Sequence, residues 1–244
     1  ELHQLYALEG FLDRLTRSPY VDQFVLKGGV LLAAYNIRRP TREVDLSASA
    51  IANEVDAVRH LIEEVLAVDV DDGLVFDVAG TTVELIRDGD DYSGVRVHAG
   101  GRLSAARLSF HVDVNVGDPI VPLPATVAFP RLLGGDLRVA GYPIEMVLAE
   151  KIVTAVQRGT ANTRWRDFVD IAALAANQEV DGYRLETSLR TVAQHRAALL
   201  VPLAEVLAGF PEFAQGRWER WRAKHQLQAS TPKNFHDLLA AVIT

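Results

Sequence analysis

Glu43 and Asp45, two carboxylates separated by one residue, are the residues whose types and spacing most directly suggest chemistry. In a β-strand, residues i and i+2 share a face, so both side chains would point the same way. Two carboxylates a few ångströms apart repel each other unless a cation lies between them. Mg²⁺ suits this role, because it binds one or two protein carboxylates together with substrate phosphates. The alternative is that Glu43 caps a turn and Asp45 forms a salt bridge.

Asp113 is a third candidate metal ligand. It lies between Val112 and Val114 in a predicted strand at residues 108–116. A carboxylate in the middle of a largely apolar strand is costly unless it is used. We therefore expect Asp113 to join Glu43 and Asp45 around the metal.

The segment Lys27-Gly28-Gly29 precedes the carboxylate pair, between a predicted strand at residues 24–26 and a predicted helix at 30–35. Backbone amides of the two glycines, at a helix N-terminus, could approach a triphosphate. The pattern is neither a Walker loop nor a GxGxxG fingerprint, which argues against common P-loop and Rossmann enzymes. Lys27, Gly28 and Gly29 are candidate nucleotide contacts, with a simple tight turn as the alternative.

Charged residues on predicted helices of the second half could reach the same substrate. Lys151 and Arg158 lie about two turns apart on one helix and project to nearly the same side. Asp167 and Asp170, one turn apart on the next helix, could orient the substrate, act as a base or form structural salt bridges. Near the end of the chain, aromatic residues alternate with a basic set that could meet an RNA backbone or simply be solvated: Arg217, Arg220, Arg222 and Lys224.

Composition restricts the class of protein. The 244 residues carry a net charge of −7 and no cysteine, which excludes disulfides and thiolate metal sites. No apolar run approaches the roughly 20 residues of a membrane-spanning helix. We expect a soluble, cytoplasmic protein that does not enter a membrane, and that uses a local basic surface if it binds nucleic acid.

The hydrophobic pattern predicts an α+β fold. Amphipathic helices are predicted at residues 3–17 and 51–67, followed by strands with alternating apolar residues up to about residue 139. From residue 143 onward the periodicity is helical throughout, including helices at 183–200 and 201–208. We therefore predict a mixed α/β core at residues 1–142 and a helical C-terminal domain at 143–244 that completes the active site.

In this order, the segments K-G-G, R-x-x-T-x-E-x-D, D-V-x-x-G-D, A-E-K-I and R-x-R-D-F-x-D resemble the AbiEii/MenT-type nucleotidyltransferase toxins. This family belongs to the polymerase-β-like nucleotidyltransferase superfamily. The similarity covers roughly residues 24–174. It implies a nucleotidyltransferase-like mixed sheet, a helical C-terminal part, an NTP substrate with Mg²⁺, and transfer of a nucleotide to the 3′ end of tRNA, which blocks translation. It also implies a cognate antitoxin.

The resemblance assigns roles to particular residues. Gly28 and Gly29 match the phosphate-contacting glycines, Lys151 matches the essential helix lysine, and Asp167, with Asp170 as the alternative, matches the acidic residue that follows it. The metal carboxylates would be Glu43, Asp45 and Asp113. In the predicted mechanism one cation activates the attacking hydroxyl and a second neutralises the leaving pyrophosphate.

Two other functions remain open from the sequence. One is a kinase-like activity that phosphorylates a protein hydroxyl, for which Thr41 beside the metal pair is a candidate acceptor. The other is a catalytically inactive module that binds nucleotide or antitoxin. Glu43, in a position that is usually Asp in the family, would be its signature.

Overall fold

A computed structural model describes the backbone of residues 2–49, 51, 54–88 and 91–243, and the side chains of these residues except those of 87–93. Ala52 and Asn53, part of the helix predicted at 51–67, lie outside the described residues. The helices are α1 (Leu2–Arg17), α2 (Gly28–Leu31), α3 (Val55–Leu66), α4 (Ile144–Arg158), α5 (Trp165–Asn177), α6 (Gly182–His195), α7 (Leu203–Val206), α8 (Phe210–Lys224) and α9 (Phe235–Ile243). The strands are β1 (Phe24–Lys27), β2 (Glu43–Ala48), β3 (Leu74–Phe76), β4 (Thr82–Asp88), β5 (Asp91–Leu103), β6 (Ala106–Val116), β7 (Ala125–Pro130) and β8 (Asp136–Gly141).

The strands form one mixed sheet, as predicted. Its order is β3-β5-β6-β2-β1-β8-β7, with β4 also paired to β5. The pairs β2–β6 and β1–β8 are parallel, whereas β1–β2 and the β5–β6 hairpin are antiparallel. The parallel β2–β6 pairing places Asp45 directly beside Asp113.

The two faces of the sheet differ in polarity because side chains alternate along each strand. The inner residues of β2, β5 and β6 are buried, and Phe110 of β6 contacts Phe11 of α1 with ring centroids 6.0 Å apart. Helices α1 and α3 contribute apolar residues such as Leu12 and Ile62 to this core. The opposite face carries the alternating polar residues of the same strands, which include the carboxylates predicted to bind metal.

Helix α1 also buries charge, which the sequence pattern did not reveal. Arg14 and Asp72 are 3% and 5% exposed and form a two-bond salt bridge with N···O distances of 2.6 and 3.1 Å. Glu9, 2% exposed, accepts hydrogen bonds from Arg38 at 2.7 Å and from the amide of Leu132. These pairs tie α1 to segments that lie 29 to 123 residues away.

The helical part has its own core of aromatic residues. Trp165, Phe168, Phe210, Trp218 and Phe235 are buried against one another. These residues come from α5, α8 and α9, so the aromatic contacts hold the helices of this part together.

The helices predicted at 183–200 and 201–208 end earlier than expected. Helix α6 stops at His195 because Ala197 adopts a left-handed conformation (φ 48°), and the amide of Ala198 donates to the carbonyl of Ala193. Alanine gives no sequence signal for such an ending. Helix α7 begins only after Pro202, because a proline disfavours helical geometry in the residue that precedes it.

By contact density the chain forms two compact units. The first comprises residues 1–118 and 123–142, and the second comprises 119–122 and 143–244. The predicted division into a 1–142 core domain and a 143–244 helical domain stays a prediction, since compactness does not show that either part folds alone. No helix within the described part of the chain is long and apolar enough to cross a membrane.

Candidate active site

The glycine turn between β1 and α2 is shaped around Asp45. Gly28 has a φ of 65°, and a Cβ atom there would lie 2.0 Å from Oδ2 of Asp45. Glycine is therefore required both by the backbone conformation and by the space available. The amide of Gly29 donates to the same oxygen at 3.4 Å. Helix α2 continues directly into a 3-10 helix at Leu32–Tyr35, so the helix predicted at 30–35 is present and begins at the glycines.

Glu43 and Asp45 occupy alternate positions of β2, with the buried Val44 between them. Burial, followed by the charges of Glu43 and Asp113, raises the pKa of Asp45 from 3.8 to about 7. Lys27 and the Gly29 amide oppose this rise without cancelling it. The pair is thus a locus of negative charge that a cation would stabilise.

Asp113 is brought next to Asp45, but its carboxylate is bound by an arginine. Arg96 of β5 lies opposite Asp113 in the antiparallel pairing and donates to both of its oxygens, at 2.8 and 2.7 Å. The guanidinium also lies 3.7 Å from Glu43 and 3.7 Å from Glu84. The hydrogen bonds that Arg96 donates to Asp113, despite partial burial, raise the pKa of Arg96 above its ordinary value.

These contacts decide how well the predicted metal set fits. Glu43 and Asp45 provide two carboxylates of the kind that Mg²⁺ takes alongside phosphates, so this pair fits the ion. Asp113 fits less well, because both of its oxygens already accept from the positively charged Arg96. Across the part of the chain that the structure describes, no group of three or more His, Asp or Glu side chains is placed to hold a metal ion.

Lys27, predicted to contact nucleotide, is 7% exposed at the end of β1. Its ammonium lies 3.0 Å from Oδ2 of Asp118 and 5.5 Å from the ring centroid of Tyr142. Asp118 is the last residue of the D-V-x-x-G-D segment. The lysine therefore links two of the segments on which the family resemblance depends.

In the second unit, Lys151 contacts both acidic residues that the sequence left as alternatives. Its Nζ lies 2.7 Å from Asp167 and 2.8 Å from Asp170. Burial by itself lowers the pKa of Lys151, but the charges of Asp170 and Asp167 outweigh it and the pKa is raised. Asp170 is 1% exposed and Asp167 15%, so Asp167 is the carboxylate with solvent access. Arg158 is the last residue of α4 and is partly buried.

Three of the four basic residues predicted to form an RNA-binding rim share one surface. Arg217, Arg220 and Lys224 are exposed on α8, and at 3.6 residues per turn they fall within about 60° of one another. Phe213 lies on the same stripe and is 54% exposed. We call these four residues the α8 basic stripe.

The prediction that Arg222 belongs to this rim is wrong. Arg222 is 6% exposed and donates to the hydroxyl and carbonyl of Thr231 at 2.9 and 2.8 Å and to the carbonyl of Gln228 at 2.7 Å. Its guanidinium also lies 5.7 Å from the ring centroid of Trp218. It holds the segment after α8 in place, because it lies about 140–160° around the helix from the basic residues of the stripe and so faces the protein.

Arg96 is the site residue that sequence reasoning missed. The alternation Val95-Arg96-Val97-His98 could have placed it on the polar face. Its pairing with Asp113 depends on the β5–β6 register, which a pattern along a single strand does not determine. His98 and His111 face each other on the neighbouring register position, with ring centroids 4.5 Å apart.

The fold is that of a nucleotidyltransferase. The structure matches MenT4, a nucleotidyltransferase toxin of Mycobacterium tuberculosis H37Rv, with a TM-score of 0.60 at 16% identity, over 98% of this chain and 80% of that chain. It also matches a predicted nucleotidyltransferase of H. pylori with a TM-score of 0.50 at 14% identity, over 99% of this chain and 88% of that one. A comparison with curated protein sequences gives no match.

Residues 10–241 match the family described as the nucleotidyl transferase AbiEii toxin of type IV toxin–antitoxin systems. Because the match covers nearly the whole chain, this protein belongs to the AbiEii nucleotidyltransferase toxin family. The resemblance predicted from the five short segments is confirmed.

Proposed function

We propose that this protein is the toxin of a toxin–antitoxin pair and a Mg²⁺-dependent nucleotidyltransferase that transfers an NMP from an NTP to the 3′ end of tRNA, so that translation stops. Membership of the AbiEii family supports the reaction class and the antitoxin partner. The observation that carries the proposal is the Glu43–Asp45 pair, two carboxylates at alternate positions of β2, beside the glycine turn whose Gly29 amide donates to Asp45. The cytoplasm is the proposed location, since tRNA is found there.

The proposed reaction joins the acceptor 3′ oxygen to the α-phosphorus and breaks the bond to the β-phosphate. Pyrophosphate leaves and the hydroxyl proton passes to solvent. Glu43 and Asp45 would hold Mg²⁺, which when bound neutralises triphosphate charge and acidifies the hydroxyl. Lys151 has three N–H donors, of which Asp167 and Asp170 take two, and the third is proposed to bind a phosphate oxygen.

Labelling of RNA tests this proposal. Total tRNA is incubated with each α-labelled NTP in turn, with and without Mg²⁺, and we expect label in RNA with one or more NTPs only when Mg²⁺ is present. Asp45→Asn and Glu43→Gln should abolish labelling, whereas Glu186→Gln on the exposed face of α6 should not. Because the charge of Asp45 is costly to the folded chain, Asp45→Asn should not lower the melting temperature. Full labelling by Asp45→Asn would refute the proposal.

The α8 basic stripe is the proposed contact with the tRNA backbone. Replacing Arg217, Arg220 and Lys224 together by Ala should weaken tRNA binding and reduce the dependence of log K on log salt by about 2. Arg184→Ala/Arg190→Ala on α6 is the matched control, since both side chains are exposed and basic. Equal losses per positive charge removed in the two variants would show that only net charge matters.

The kinase-like alternative is less well supported by the structure. Thr41, its candidate acceptor, is 8% exposed, and its hydroxyl is engaged with the backbone of Glu43 at 3.4 to 3.5 Å. A γ-labelled NTP distinguishes the two reactions, because a kinase puts γ-label into protein and a nucleotidyltransferase puts α-label into RNA. An inactive module would bind nucleotide and transfer neither label.

A further inference from the structure

The sequence predicts three carboxylates around a metal ion, but the structure places an arginine among the carboxylates. On the polar face of the sheet, Arg96 lies among Glu43, Glu84 and Asp113, with its closest contacts at 2.7 and 2.8 Å to Asp113. Asp113 is 10% exposed and Arg96 29%. This ion pair is made by two hydrogen bonds, one to each carboxylate oxygen, and such bidentate pairs are the stronger ones that arginine makes with a carboxylate.

A metal ion bound through Asp113 would have to share that carboxylate with a permanent positive charge. Arginine does not lose its proton in proteins, so the repulsion could not be relieved by deprotonation. If Arg96 moved away from Asp113, it would exchange its close ion pair for the longer contacts with Glu43 and Glu84. These two side chains are 45% and 53% exposed and lie 3.7 Å from the guanidinium. The antiparallel pairing of β5 with β6 places Arg96 directly opposite Asp113.

We propose that Arg96 is a built-in cation that takes the place of a metal at Asp113, so that this protein holds a single divalent ion through Glu43 and Asp45. This inference rests on the proposed function and deepens it. Asp113 then acts as a positioning residue that holds Arg96 beside Glu43. Arg96 supplies, next to the metal pair, the second positive charge that a two-cation mechanism would obtain from another ion.

Binding of Mn²⁺ alone to the full chain tests this inference without relying on activity. Titration followed by electron paramagnetic resonance counts the bound ions and gives their affinity. We expect one ion in the unaltered chain, and a loss of at least about 100-fold for Asp45→Asn against less than about 10-fold for Asp113→Asn. Glu84→Gln, which removes the carboxylate on the other side of Arg96, should leave Mn²⁺ binding unchanged.

Arg96→Gln provides the complementary test, because it frees Asp113. We expect this variant to bind Mn²⁺ more tightly or to gain a second ion, and Arg96→Gln/Asp113→Asn to lose that gain. If Asp113→Asn is poorly folded, the double variant, which removes both charges of the pair, is measured in its place. Two ions in the unaltered chain, or equal losses in Asp45→Asn and Asp113→Asn, would overturn the inference.

The RNA-labelling assay separates this inference from the proposed function. Label in RNA together with two bound Mn²⁺ ions would reject the role of Arg96 and leave the reaction standing. A single ion that depends on Asp45 but not on Asp113, with no label in RNA, would support the role of Arg96 and reject the tRNA reaction. Absence of Mn²⁺ binding would overturn the inference directly.

Discussion

Replacing Lys151 by Met should destabilise the helical part of the protein, because the two carboxylates that share its ammonium would lose their common cation. Nζ lies 2.7 Å from Asp167 and 2.8 Å from Asp170, and Asp170 is 1% exposed. Removing one partner of a buried ion pair costs about 3–5 kcal/mol. Asp167 retains some solvent contact at 15% exposure, so we expect the lower end, about 3 kcal/mol.

Thermal unfolding followed by circular dichroism measures this loss. For a chain of this size about 3 kcal/mol corresponds to a decrease of about 6–12 °C in melting temperature. Lys224→Met on the exposed side of α8 is the matched control, with an expected change within about 0.5 kcal/mol. Lys151→Met/Asp170→Asn should recover part of the stability, since one of the two stranded charges is removed.

A melting temperature for Lys151→Met equal to that of the control would refute the reasoning, and so would a double variant less stable than the single one. The result also decides how loss of activity in Lys151 variants is interpreted. Labelling must be measured well below the melting temperature of each variant, so that unfolding is not mistaken for loss of phosphate binding.

Further predictions concern the fold around the site. Burial raises the pKa of Asp72, but the hydrogen bonds from Arg14 outweigh it and hold the pKa below 3.8, so this ion pair should stabilise the fold above about pH 4 and progressively less as pH falls through the lowered pKa. In Asp72→Asn, the free energy of unfolding measured with urea between pH 3 and 7 should therefore fall less steeply as the pH is lowered. An unchanged pH dependence would contradict this. Gly28→Ala should cost about 1–2 kcal/mol for its left-handed backbone and also displace Asp45, with weaker Mn²⁺ binding as the readout; intact binding would exclude the predicted clash. Trp218→Ala should cost about 3–5 kcal/mol in urea unfolding, because its 0% exposed side chain fills the aromatic core; a loss below about 1 kcal/mol would argue against that packing.

Much of the fold followed from local patterns. Strands β1 and β6 and helix α1 were predicted within a few residues, since the apolar periodicity of the sequence agrees with the observed burial. The length of β5 did not follow from such a pattern, because the alternation of apolar and polar residues covers only Val95 to His98 while the observed strand runs from Asp91 to Leu103. Two glycines in its second half weaken any strand signal, and pairing with β6 stabilises that part.

The sequence by itself identified the family and predicted the residues proposed to carry its chemistry: the glycine turn, Glu43 and Asp45 on one strand, and Lys151 followed by Asp167. These are local, because spacing along a strand or helix determines which side chains share a face.

Only the tertiary structure decided which charges meet. Arg96 opposes Asp113 through the register of a hairpin, and Lys151 meets Asp167 and Asp170 through the packing of two helices. Arg222 is buried rather than on the basic rim because the segment after α8 folds back over it. These contacts join residues that are 9 to 19 positions apart in the sequence. The partner of each charged side chain is therefore determined by packing and not by its neighbours in sequence.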